Sequence, residues 1–377
     1  MRPSQAPDLR SMTVDELEAF ALTLGEPAYR GRQLARWVHR HGAQTFEEMT
    51  DLPARLRAAL PAVARITALR IGRRLTSTEG STTKYLLVAA DGSTIESVLM
   101  RYADGRRTAC VSTQVGCAMA CTFCATGQVG LARNLTAGEI VDQVHRMQQD
   151  ANETINRVVF MGMGEPLANY DATVRAVRLL GAPYGAGIGM RHITISTVGL
   201  VPQIRRLATE RLPVTLAVSL HAPDDRLRSA LVPINAQYPI AELLEACWDY
   251  AGTTRRRVTF EYVLMRGVND TPEMARRLGA LLRGALAHVN LIPWNPVPGM
   301  PYERPCPQDV RGFARALRRC GVPATVRIER GTDIMAACGQ LRNAFTPGRM
   351  PRRIADPGSP PIQRPASRWV PTPASVP

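Results

Sequence analysis

Three cysteines, Cys117, Cys121 and Cys124, stand within "GCAMACTFCATG" at the spacing C-x3-C-x2-C. Thiolates are soft ligands and select zinc or iron–sulfur clusters. A structural zinc site normally closes with four ligands, so three thiolates leave it one short. No second C-x-x-C or H-x-H pair lies nearby, and Cys247, Cys306, Cys320 and Cys338 are scattered singly. Two chemistries stay open at this point. One is zinc with a distant fourth ligand. The other is a [4Fe–4S] cluster held by three thiolates, with one iron left for an exogenous ligand.

Other residue types could share that chemistry. "VVFMGMGEPL" is an apolar run ending in Gly164-Glu165-Pro166, where glycine admits a ligand close to the backbone and a carboxylate can meet an ammonium. The same tripeptide at Gly25-Glu26-Pro27 falls between helical stretches, so position rather than the motif decides its meaning. Glu96 in "TIESVLM" places a carboxylate inside an apolar run, where it needs a partner. His221 in "SLHAP" is a site candidate or a core histidine. Cys110 and Cys338 taken singly read as buried structural thiols.

The chain carries a formal charge of +15, from 47 basic and 32 acidic residues, which points to a polyanionic partner or to drift in an Arg-rich composition. Lys84 is the sole lysine; every other base is arginine. Lysine and arginine differ in hydration and geometry, so Lys84 is expected to matter more than a surface base, against chance retention. Eight cysteines in 377 residues fit a reducing compartment better than a disulfide framework. No apolar run approaches the roughly 18 residues of a membrane span, and "MRPSQAPDLRS" lacks a signal-peptide core, so a cytoplasmic protein is expected.

The elements that must position these residues follow from period. Residues 1–62 read as a helical domain, with capping-box spacings at Thr13/Glu16 and Thr45/Glu48. Between them, Pro27 to Arg40 makes a helix with Leu34, Trp37 and Val38 on one side. Arg30, Arg32, Arg36, Arg40 and His39 occupy much of the rest, as a solvated or RNA-touching face. Residues 63–106 read as a β adaptor, with two strands around Asp91-Gly92. Over residues 107–346 the runs "TACVSTQ", "RVVFMG", "HITISTVG", "VTLAVSLH", "VTFEYVLM", "VNLIPWN" and "ATVRIERG" alternate with helical patterns. That is an α/β arrangement of repeated βα units, whose chemistry gathers beyond the strand ends. Residues 347–377 are proline-rich and basic, without apolar periodicity, and are expected to be a disordered tail.

The cysteine spacing, with Phe123 before the last, resembles the cluster loop of the radical S-adenosylmethionine superfamily. "CVSTQVGC", "MGMGEPL", "SLHAP", "NLIPWNP" and "GTDIMAACGQLR" together resemble the RlmN/Cfr family of rRNA adenine methyltransferases. The resemblance implies a partial (β/α)6 radical-SAM barrel with a small N-terminal helical domain and a β adaptor. It implies a [4Fe–4S] cluster on Cys117, Cys121 and Cys124, and S-adenosyl-L-methionine, used twice per methylation. Cofactor contacts carry over to Gly164, Glu165, Ser196, Ser219, Leu220, His221 and Asn295. Cys338 matches the cysteine that is first methylated, then loses a hydrogen atom to a 5′-deoxyadenosyl radical and joins an electron-poor adenine carbon. Cys110 matches the thiol that resolves the adduct, with a transient Cys110–Cys338 disulfide, and Glu96 a proton acceptor. The implied substrates are 23S rRNA and tRNA, modified at adenine carbon 2; carbon 8, as in the Cfr branch, is the alternative, and a non-catalytic zinc RNA-binding protein a more distant one. An electron donor such as flavodoxin or ferredoxin and a monomeric state complete the expectation.

Overall fold

The structure is a computed structural model that describes residues 6–341. The expected tail, 347–377, lies outside the described residues, as do the last positions of the expected 107–346 segment.

The βα alternation resolves into one sheet. Its strands in chain order are β1 Arg70–Thr76, β2 Thr82–Val88, β3 Thr94–Arg101 and β4 Arg107–Cys110. After a two-stranded excursion, β5 Gln114–Cys117 with β6 Gly130–Asn134, come β7 Arg157–Phe160, β8 Ile193–Thr197 and β9 Thr215–Ser219. The sheet ends with β10 Val258–Leu264, β11 Ala287–Pro293 and β12 Ala324–Val326. The order is β1-β2-β3-β4-β7-β8-β9-β10-β11-β12. From β4 to β12 every neighbouring pair is parallel, with helices in each crossover. Six strands are four residues or longer, and the seventh, β12, has three. β1 to β3 pair antiparallel and join β4, so the hairpin strands extend the core sheet.

The hairpin at Asp91-Gly92 forms, with Gly92 at φ +80°. β1 was not anticipated: "RIGRRLT" is largely exposed, and its run of arginines hides the strand period. One register row has a functional consequence. Lys84 on β2 faces Val98 on β3, and Val98 faces Cys110 on β4. Directly opposed residues share a face, as do residues two apart on a strand. Lys84, Glu96, Val98 and Cys110 therefore point to the same side of the sheet.

The helical start packs its own apolar core of Leu9, Leu17, Leu34, Val38, Met49, Leu56 and Leu60. Thr13 and Glu16 form the reciprocal cap of helix Val14–Thr23, with Thr13 N to Glu16 Oε2 at 2.8 Å. The Thr45/Glu48 spacing does not open a helix. Glu48 accepts from the amides of Gln44 and Thr45 in a turn, and the next helix, Ala54–Val63, starts only after Pro53. Proline biases the residue before it away from helical backbone, which explains the delay. The Pro27–Arg40 stretch becomes helix Tyr29–Ala35 and a π-helical turn Arg36–His41. His39 does not join the basic face: it is buried, bonds the Met12 carbonyl at 2.8 Å, and burial lowers its pKa to about 4. Arg32 pairs with Glu18 at 2.6 Å, leaving Arg36 and Arg40 exposed without a salt bridge among the described residues.

Arg10 fastens this start to the core. It is fully buried, donates to the carbonyls of Thr67 and Val38 at 2.7 Å and to that of Ala43, and lies 3.3 Å from Asp142. Asp142 sits on helix Ala137–Ala151, whose Arg146 shares the same carboxylate at 3.3 Å. A charge buried in this way needs such partners.

Candidate active site

The cysteine loop is separated from the first parallel strand by a short extra strand. The chain leaves the sheet at Cys110, forms β5, and Cys117 ends that strand. Cys121 and Cys124 then lie in the connection to β6. Gly116 makes the return possible: its φ is +81°, and a Cβ there would come within 1.9 Å of the Gly130 carbonyl oxygen. Ala120, at φ +51°, turns the chain inside the loop.

The three thiols line a cavity of about 120 Å³ together with Met119, Gly162, Gly164, Glu165 and His221. Three soft thiols around one chamber are a donor set that fits an iron–sulfur cluster. Burial pushes the Cys117 thiol up to about 12 and raises Cys121 and Cys124 also. Such thiols bind through loss of their protons to a metal, because metal ligation favours the thiolate.

Next to this chamber is a second cavity of about 150 Å³ beyond the ends of the parallel strands. Gly164, Glu165, Ser196, Ser219, His221 and Asn295 all line it. Leu220 does not; its side chain is core, while its amide donates to Glu261 and its carbonyl accepts from Arg228. Gly164 is required by its neighbour, since a Cβ at its φ of +99° would meet the Gln114 side chain at 2.6 Å. Gln114 in turn accepts the Glu165 amide at 2.8 Å.

Glu165 is buried, and its two oxygens accept from the amides of Leu167 (2.9 Å) and Val198 (2.8 Å). Burial nevertheless raises its pKa to about 7, above the ordinary carboxylate range. A cationic ligand group would relieve that penalty. His221 has φ +59°, and its Nδ1 accepts the Val263 amide at 3.1 Å. Its Nε2 therefore carries the proton, and burial lowers the pKa to about 3, so the ring is neutral at pH 7. Phe123 meets it edge-on at 4.7 Å. Asn295 donates to the Cys338 carbonyl at 3.1 Å, while its Oδ1 is buried without a hydrogen-bond partner among the described residues. An unmet buried acceptor beside an empty volume is the mark of a ligand position.

A third cavity, of about 650 Å³, opens beyond the second. Met161, Ile292, Asn295, Arg327 and Cys338 line both. Cys110 lines the outer one, so the two cysteines separated by 228 positions share one chamber (338 minus 110). Both are free thiols. Burial, with Cys338 adding to it, pushes Cys110 up to about 12, so it holds its proton at neutral pH. Glu96 is buried on the same face of the sheet, 3.2 Å from the Lys84 ammonium.

Several polar groups around these cavities carry no mark in the sequence. Arg228 is fully buried and donates to the carbonyls of Val198 (2.6 Å), Ser219 (3.1 Å) and Leu220 (3.2 Å), tying the ends of β8 and β9 together. Asn269 holds His221 by its carbonyl at 2.8 Å. Glu261 lines the second cavity, accepts from Asn290 at 3.0 Å and lies 3.6 Å from Arg327. Arg327 stands between the two cavities, its pKa raised chiefly by the nearby Cys338 sulfur and then by Glu261. One arginine among so many carries no mark in the sequence. A buried carboxylate in "VTFEYVLM" was the one signal available.

The comparisons with known proteins agree with this geometry. The family model described as "Radical SAM superfamily" matches residues 111–278, and that described as "Ribosomal RNA large subunit methyltransferase N-terminal domain" matches residues 7–66. The chain is 53% identical over 338 residues to a probable dual-specificity RNA methyltransferase RlmN of Symbiobacterium thermophilum, covering 89% of this chain and 91% of that one. It is 49% identical over 371 residues to the dual-specificity RNA methyltransferase RlmN of an Anaeromyxobacter species, covering 96% and 97%. A crystal structure of a radical SAM methyltransferase from Sphaerobacter thermophilus superposes with a TM-score of 0.86 at 53% identity, over 89% of this chain and 99% of that one.

Proposed function

Because this chain belongs to the RlmN family of radical SAM proteins, we propose that it methylates carbon 2 of adenine in 23S rRNA and in tRNA. The observation that carries the reading is the shared chamber: Cys338 lines both the cavity of the cofactor residues and the outer cavity that holds Cys110. A carrier must face its methyl source on one side and its substrate on the other. Cys338 has that position.

Cys117, Cys121 and Cys124 would hold the [4Fe–4S] cluster, and Glu165, Ser196, Ser219, His221 and Asn295 the S-adenosylmethionine. When bound, these groups supply a methyl donor and, after one-electron reduction, a radical able to take hydrogen from a methyl group. The electron comes from a flavodoxin- or ferredoxin-type donor, and the protein works as a monomer. Glu165 offers a buried carboxylate to the cofactor's ammonium, and His221 offers a neutral Nε2–H. Cys338 takes the methyl group on sulfur and carries it to the adenine carbon. Cys110 attacks the sulfur of Cys338, forming a Cys110–Cys338 disulfide while the released carbon takes a proton and becomes the methyl group. Glu96 accepts the proton lost from the ring carbon, and a thiol reductant restores both cysteines. Splitting the reaction in this way avoids asking an electron-poor ring carbon to act as a nucleophile.

The outer cavity suits a splayed RNA base. Tyr102 on its wall lies under the guanidiniums of Arg106 (4.3 Å) and Arg330 (4.5 Å), although Arg106 also pairs with Asp104 at 2.7 Å. No helix among the described residues is long and apolar enough to cross a membrane; work on RNA in the cytoplasm is the accompanying expectation. The test is anaerobic reconstitution with iron, sulfide, reductant and S-adenosylmethionine, followed by mass spectrometry of nucleosides from rRNA and tRNA. 2-Methyladenosine is the expected product. 8-Methyladenosine, or no methylated adenosine from a protein with full iron content, would overturn the reading.

A further inference from the structure

The one lysine of the chain occupies an unusual place. Lys84 Nζ lies 3.2 Å from Glu96 Oε1 and donates to the Met335 carbonyl at 3.1 Å. Its side chain is 12% exposed. Met335 has φ +53°, a left-handed conformation that a methionine rarely adopts, and it stands three residues before Cys338. From this juxtaposition we infer that Lys84 is a positioning residue, holding the Cys338 segment in register with Glu96. The inference rests on Cys338 as methyl carrier and Glu96 as proton acceptor.

The rest of the hairpin supports the same segment. Asp333 accepts from Thr78 N at 2.9 Å and from Thr78 Oγ1 at 3.1 Å. At Gly331 a Cβ would meet the Thr82 side chain at 2.7 Å. Residues 331–335 therefore lie along the β1–β2 end of the sheet, and Lys84 is the charged side chain of β2 that reaches them. β2 and the turn before it thus brace the segment that bears Cys338, besides any part the hairpin takes in holding RNA.

Residue type follows from geometry. A primary ammonium directs three donors from one nitrogen, so a carboxylate and a carbonyl can both be reached at about hydrogen-bond distance. A guanidinium spreads its donors over a planar fork and is longer, and it would displace Met335 or lose Glu96. This accounts for a single lysine in a chain that otherwise uses arginine. The left-handed turn at Met335 persists only while its surroundings hold it.

The test uses cluster-loaded protein with Lys84→Met, of similar length without donors or charge, and Lys84→Arg. Iron content should match wild type, while the thermal midpoint of Lys84→Met should fall because buried Glu96 loses its cationic partner. Amide hydrogen exchange in residues 331–341 should accelerate about tenfold or more in Lys84→Met, the loss expected of a hydrogen bond from a charged donor. The rate constant for methyl transfer should fall by a similar factor with KM for RNA unchanged, and Lys84→Arg should restore neither. Exchange at the wild-type rate in Lys84→Met, or full rescue by Lys84→Arg, would overturn the inference. Exchange needs no turnover, so it is separable from the carrier assignment, which fails instead if Cys338→Ala still methylates RNA.

Discussion

The amide of Ala125 donates to the carbonyl of Gly339 at 2.8 Å. The residue after the last cysteine of the cluster loop is thus bonded to the residue after Cys338. Thr126 adds a bond to the Leu341 carbonyl at 2.6 Å, and Trp294 ties the loop to β11 by donating to the Phe123 carbonyl at 3.2 Å. The two sulfur chemistries proposed for this protein are held together by the Ala125–Gly339 backbone bond and the Thr126 side chain.

The cysteines should separate cleanly in their effects. On the proposed assignment, alanine at Cys117, Cys121 or Cys124 removes a cluster ligand, so iron content and RNA methylation should both be lost. Cys338 is held by main-chain bonds that survive its replacement. Cys338→Ala should keep wild-type iron and lose methylation by a factor of 10³ or more, on the order seen when a covalent carrier is removed. Iron analysis alongside nucleoside mass spectrometry checks both.

Cys110→Ala should stop the reaction after the carbon bridge to RNA has formed. Protein purified from cells should then carry RNA that nuclease shortens and denaturant does not remove. The double variant Cys110→Ala, Cys338→Ala should carry none, because no bridge can form. RNA-free Cys110→Ala protein with methylated Cys338 would reject Cys110 as the resolving thiol.

Glu165 should release a proton when S-adenosylmethionine binds. Burial holds its pKa at about 7, so at pH 6.5 roughly three quarters of the free protein carries the proton. Pairing with an ammonium favours the carboxylate, and the proton leaves. Release should shrink toward zero above pH 8, and Glu165→Gln should show none from this site. Calorimetry in buffers of different ionisation enthalpy measures it; equal release by wild type and variant would contradict the assignment.

Acid should unfold the protein through its buried histidines. His39 has a folded pKa of about 4 against 6.5, and His145 and His221 are lowered too. Between those values the unfolded chain binds more protons, so stability rises with pH across the window and is lost as pH falls from 6.5 toward 4. Each such group contributes a slope of about 1.4 kcal/mol per pH unit. His39→Gln should remove its share, seen as a flatter dependence of the unfolding free energy between pH 6 and 4.5.

Short-range order encodes the part of this protein that is legible along the chain. The C-x3-C-x2-C trio lies on one loop, so spacing alone declares it. The strands carry their own period, and the Thr13–Glu16 cap closes within one turn. The sole lysine was conspicuous by type before its partners were known. The tertiary structure decided which distant groups meet: Lys84 with Met335, Ala125 with Gly339, Arg10 with Asp142, Arg228 with the ends of β8 and β9, and the register that sets Lys84, Val98 and Cys110 in one row. It also buried His39 and ended the helix expected at Thr45. The physical reason is that a buried polar pair is a one-to-one choice among many chemically equal candidates. Any of 46 arginines could have satisfied a buried carbonyl (47 bases less Lys84), and no periodicity marks the one that does.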